Sequence, residues 1–147
     1  MKFACALFVP VLFAHTLPAG SGLDAARNEP NLEKRSGLAL ENAAAALKEF
    51  RAAYDSGDLH TCQAKALEIE TSVELAYASL QMTGKDPRRS PKWFKHAEIQ
   101  SDELVRGIEA MQHDMSFEDR SLLEKTHDRV EQIHDDLLAG LMGGKKK

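Results

Sequence analysis

The chain has 147 residues, of which 43% are hydrophobic and 29% charged, with a formal charge of −4 at pH 7. That length suits one domain, and a composition able to build a core excludes intrinsic disorder. The modest negative charge excludes generic attraction to nucleic acid, so no nucleic-acid partner is expected.

Residues 1–19 have the layout of a secretory signal peptide. Met1-Lys2 supplies a positive start, Phe3 to Ala14 an apolar run, and Ala19, Gly20, Ser21 and Gly22 the small residues of a cleavage region, with cleavage expected after Ala19 rather than Ala14. The uncharged stretch from Phe3 to Ala19 holds 17 residues, including His15 and Pro18, at the lower limit for spanning a bilayer. No later segment is apolar enough to span a membrane. The expectation is therefore an extracytoplasmic protein, periplasmic or secreted, with no stable membrane insertion after cleavage. Cleavage removes Lys2 and no acid, leaving 18 basic against 23 acidic residues, net −5. It also removes Cys5, so Cys62 is left without an intramolecular disulfide partner.

Residues 20–30 read as a flexible leader ending at Pro30, and residues 31–142 as the folded domain. Four segments follow, each with apolar residues spaced by three and four. In the first, Leu40, Ala43, Leu47, Phe50 and Tyr54 recur, with a start as early as Asn31 and weakened first turns at Gly37. Asp55-Ser56-Gly57-Asp58 stops it, because Gly57 suits the left-handed C-terminal position and Asp58 can cap the next helix. That hairpin, Tyr54-Asp-Ser-Gly-Asp-Leu59, resembles the helix–turn–helix of tetratricopeptide repeats over its own length only. No 34-residue repetition follows, so no family residues are carried over.

The second stripe is Leu59, Cys62, Ala66, Ile69, Val73, Ala76 and Leu80, closed by Gly84. After a basic connector, Ser90-Pro91 reads as an N-cap with proline at the first helical position. The third stripe is Phe94, Ala97, Ser101, Leu104, Ile108, Met111 and Met115. Ser116 to Asp119 is the expected start of the last helix, with a cap and acids in its first turn. Its stripe is Leu123, Thr126, Val130, Ile133 and Leu137, broadened by Leu122 and Leu141, and residues 143–147 read as a basic tail after a glycine stop. Residues 59–82, 91–114 and 117–142 would be near 36 Å each at about 1.5 Å per residue. Matched helices with short connections pack antiparallel, so the expected fold is all-α, an antiparallel up-down-up-down bundle of about four helices.

The stripes hold no acid and no histidine, which argues against a central metal site, since a buried carboxylate without a metal or partner is costly. No Cys-x-x-Cys-His occurs, Met111 and Met115 read as plain core, and no cofactor is expected. Glu-x-x-His occurs twice on the last helix, one heptad apart, which puts Glu124, His127, Glu131 and His134 on one flank as candidate ligands for zinc, copper or nickel. Cys62 reads as a small buried hydrophobe, or the site of an intermolecular disulfide. Nucleophilic use is not expected, because His60, two residues away, points to another side. The connector sets Lys85, Arg88, Arg89, Lys92 and Lys95 against Asp86, beside Trp93 at a helix start, making Arg88, Arg89 and Lys92 candidate anion-binding residues.

The second helical segment has another apolar line, Leu67, Thr71, Leu75, Ala78 and Met82, interleaved with charges. Leu75 and Met82 are the candidate contact residues, for a protein partner or self-association through that helix. No nucleophile–base pair, acid pair or phosphate-cradling glycine loop is found, so an enzyme is not expected. The expected function is an exported bundle acting through protein contacts, as an adaptor, chaperone-like or envelope component. The alternative is a metal- or anion-binding extracytoplasmic four-helix bundle.

Overall fold

In a computed structural model that describes residues 22–144, the chain is all-α. The expected signal peptide, residues 1–19, and residues 145–147 of the expected tail lie outside the described residues. The helices are α1 (Gly22–Asn28), α2 (Leu32–Asp55), α3 (Leu59–Met82), α4 (Pro91–Asp114) and α5 (Ser121–Met142), with no strand among the described residues.

The expectation of about four helices is corrected to five. α1 occupies the stretch read as a flexible leader. Seven residues would not hold a helix alone in water, but Leu23 and Ala26, three apart on one face, are buried. Gly22 backs onto Asn42 of α2 so closely that a Cβ would collide with the Asn42 Oδ1. Tertiary burial, which no local propensity announces, holds α1.

Local chemistry sets most helix ends. Asn31 Oδ1 accepts the Lys34 amide at 3.0 Å, and Asp58 Oδ1 accepts the Thr61 amide at 3.0 Å. Gly57, between α2 and α3, has φ +76° and makes the left-handed turn expected of it. The last helix differs from expectation: it begins at Ser121, and residues 117–120 form a separate turn. Ser116 Oγ accepts the Asp119 amide at 3.3 Å as a cap would. The Tyr54 hydroxyl, however, holds both ends of the turn, accepting the Ser116 amide and donating to Asp119.

One apolar core draws on all five helices, with Phe50, Ile69, Ile108, Leu123 and Ile133 among its most buried members. Every position of the third and fourth stripes is buried. In the second stripe Leu59 is the exception, 43% exposed as the first residue of α3.

Side-chain pairs give the helix directions. Glu33 meets Lys85 and Glu49 meets Lys65, so α2 and α3 run antiparallel. Glu98 meets His134 and Glu109 meets His127, so α4 and α5 do too. Glu70 and Glu74 meet Lys125 and Arg129, which makes α3 and α5 parallel. α2 and α4 are also parallel, with Gly37 facing Trp93 at one end and Arg51 pairing with Asp114 at the other. Two hairpins thus lie side by side. The consecutive helices α3 and α4 meet over only a small area, and α2 does not pack on α5.

Polar seams run between the layers. Glu70, 9% exposed, accepts from Thr126 Oγ1 at 3.0 Å and Lys125 Nζ at 2.9 Å, which satisfies a carboxylate that burial would otherwise penalise. Between α2 and α3, Asn42 Nδ2 donates to Glu68 at 2.9 Å and to Ser72 at 3.0 Å, while Lys65 bridges Glu68 and Glu49. Among the described residues no helix is long and apolar enough to cross a membrane.

Candidate functional site

An open groove of about 720 Å³ lies between the first halves of α2 and α4. Lys34, Gly37, Leu38 and Glu41 recur at helical spacing on one face of α2, and Lys92, Trp93, Lys95, His96 and Ile99 do so on α4. Gly37 faces the indole, and a Cβ there would lie 3.7 Å from Trp93 Cζ3, in ordinary van der Waals contact. Lys92 Nζ sits 5.3 Å from the Trp93 ring centroid, within cation–π range, and the His96 ring meets the indole edge-on at 6.0 Å. Leu38 and Ile99, 37% and 55% exposed, complete an apolar floor.

The charges of the rim are mixed. Lys34, Lys92 and Lys95 have no acidic partner among the described residues, whereas Glu29 and Glu41 bring negative charge to the same wall. The groove is thus slightly cationic on a chain of net negative charge. Among the described residues its lining holds one imidazole, His96, and no hydroxyl or thiol nucleophile.

Of the candidate anion residues, only Lys92 reaches this groove. Arg88 lies 3.8 Å from Asp86 and packs on Gly143 at the end of α5, while Arg89, 4.0 Å from the same carboxylate, extends into solvent. Asp86 holds its own loop together by accepting the Arg88 amide at 2.8 Å. Ser90 does precede Pro91 at the α4 start, but its side chain makes no capping bond.

The candidate metal ligands are regrouped. His134 turns to α4 and meets Glu98 at 3.2 Å, while His127 meets Glu109 of α4 at 3.4 Å. Glu131 stays with His127, and Asp128 joins them: one ligand atom from each lies within 4.8 Å of the others. Glu124 is exposed and outside that group.

The candidate contact residues on α3 also divide. Met82 and Leu67 are 67% and 60% exposed, whereas Leu75 is half-buried and packs against the core. Cys62 is fully buried, its thiol directed at the Phe50 carbonyl at 3.7 Å. Burial, with help from Asp58 and Asp119, pushes that thiol above its ordinary pKa, the opposite of what a nucleophile needs.

No protein-family model, curated protein or solved structure matches the chain. The groove was not legible from stripe-counting, because its floor lies off the stripes. The available signal was Leu38 and Ile99, apolar residues beside rather than on the core line, together with a glycine on α2 and a tryptophan on α4.

Proposed function

We propose that this is an exported, non-enzymatic protein whose four long helices form an up-down-up-down bundle and which acts through protein–protein contacts, as an adaptor, chaperone-like or envelope component. The observation that carries the reading is the apolar floor of Leu38, Trp93 and Ile99 held open between α2 and α4. Exposed apolar surface that a fold does not cover is the usual signature of a contact site.

The occupant is an amphipathic helix with acidic flanks. Two parallel helices leave a trough into which a third can lay anchors at helical spacing. Lys34, Lys92 and Lys95 face that trough without acidic partners among the described residues, and charges at a rim steer and orient a partner more than they tighten it. Glu29 and Glu41 give the rim a pattern that a uniformly charged surface would not match.

Trp93 is the sole tryptophan, so its emission reports occupancy of the groove. Titration with a synthetic acidic amphipathic helical peptide is expected to give a saturable blue shift. The shift should disappear in the Leu38→Glu, Ile99→Glu double variant. No shift at millimolar peptide, or equal binding of the same peptide with lysines in place of its acids, would refute the reading.

A further inference from the structure

On α5, helical spacing and a second helix converge on one imidazole. His127 and Glu131 are four residues apart on α5, hence neighbours on one face, and Asp128 flanks them. One ligand atom from each lies within 4.8 Å of the others. His127 Nδ1 is the nitrogen near Asp128, at 3.4 Å, and its Nε2 faces Glu109 of α4, also at 3.4 Å. We propose that His127, Asp128 and Glu131 bind a divalent transition-metal cation, with Glu109 as the positioning residue that orients the imidazole.

Three observations support this. The first is the division of labour at the ring. In the Nε2–H tautomer the ring donates to Glu109 and leaves Nδ1 open to ligate beside Asp128, the arrangement by which histidine ligands are held at metal sites. The second is the disposition of the nearby cations. Lys125 and Arg129, the basic residues of this stretch of α5, line a shallow cavity with Asp128 but pair with Glu70 and Glu74 of α3. Asp128 and Glu131 are exposed, and among the described residues neither has a lysine or arginine partner. The third is charge. Two carboxylates and a neutral imidazole balance one divalent ion, and that donor set suits a first-row transition metal better than calcium or magnesium. Metal–ligand bonds of about 2.0–2.2 Å require the donors to draw closer than they stand, a rotamer adjustment open to two exposed carboxylates.

His134 and Glu124 are not part of the site, and none of its residues belongs to the α2–α4 groove. The test is therefore independent of the proposed function. The probe is Zn²⁺ alone, titrated calorimetrically into the full mature chain without an affinity tag and stripped of metal. The expected result is one ion per chain. His127→Ala should weaken it at least tenfold, Glu109→Gln by about tenfold or more, and His134→Ala should leave it unchanged. Zinc should raise the melting temperature of the parent chain but not of His127→Ala, which separates a folded site from capture by the unfolded chain. The proposal is overturned if His127→Ala titrates like the parent chain, or if His134→Ala loses as much. Unchanged affinity in Glu109→Gln would remove the positioning role.

Discussion

The Tyr54 hydroxyl, at the end of α2, donates to the Asp119 carboxylate at 3.0 Å and accepts the Ser116 amide at the same distance. One side chain therefore ties α2 to the turn that launches α5. Tyr54→Phe keeps the packing and removes both bonds, with an expected loss of about 1–2 kcal/mol in denaturant titration, roughly one net contribution per bond. Amide exchange at Ser116 should accelerate more than exchange in mid-α5.

Gly22 offers a test of the fifth helix. A methyl group at that position cannot coexist with the Asn42 side chain as it stands. Asn42 is in turn committed to Glu68 and Ser72, so moving it breaks bonds that are partly buried. Gly22→Ala is expected to cost about 1–3 kcal/mol, the usual penalty of overpacking. Hydrogen exchange should place that loss in α1, leaving amides of α3 and α5 protected. Uniform loss of protection would mean that α1 unfolds only with the whole domain.

The seam between α2 and α3 predicts a pH dependence. Burial raises the Glu68 carboxyl, but hydrogen bonds from Lys65 and Asn42 outweigh it and hold the group below its ordinary value. Stability from a depressed carboxyl is fully present above the unfolded value, about 4.3, and is lost as pH falls through the lower folded value. Lys65, raised by its bonds to Glu49 and Glu68, behaves oppositely. Its contribution is present below about 10.4 and lost as pH rises through the folded value. Between pH 5 and 2 the parent chain should therefore lose stability more steeply than Glu68→Gln. Parallel curves would show that the seam contributes nothing through this carboxyl.

Burial predicts a contrast between stripe and surface. Leu104 and Ile133 are 4% and 1% exposed, and replacing either with Ala should cost about 2–5 kcal/mol. Met82, exposed at the end of α3, should tolerate Glu within about 0.5 kcal/mol. Leu75→Glu should behave as a core substitution, because that side chain packs inward. If α3 mediates self-association, Met82→Glu shifts the parent oligomer toward monomer in sedimentation velocity without loss of helicity.

The sequence by itself determined which residues face inward and where most helices stop. Three- and four-residue spacing is a property of a single helix, so the stripes through Ile69, Ile108 and Val130 are legible without any partner. The same holds for Asn31 and Asp58 at helix starts and Gly57 between helices, whose bonds and φ angle are local. What spacing does not encode is which helix lies beside which. Helical order and the short connector at 83–90 suggest α3 against α4, yet α3 lies along α5 and α2 along α4. The α2–α4 pairing creates the groove at Trp93, bringing Gly37 to Trp93 across 56 residues of chain, while the packing of the α4–α5 hairpin brings Glu109 to His127 across 18. α1 belongs to the same class, since seven residues become helix only when Leu23 and Ala26 have something to bury against. Inward-facing periodicity is written into one helix at a time, whereas a site built from two helices exists only once tertiary packing has chosen the neighbours.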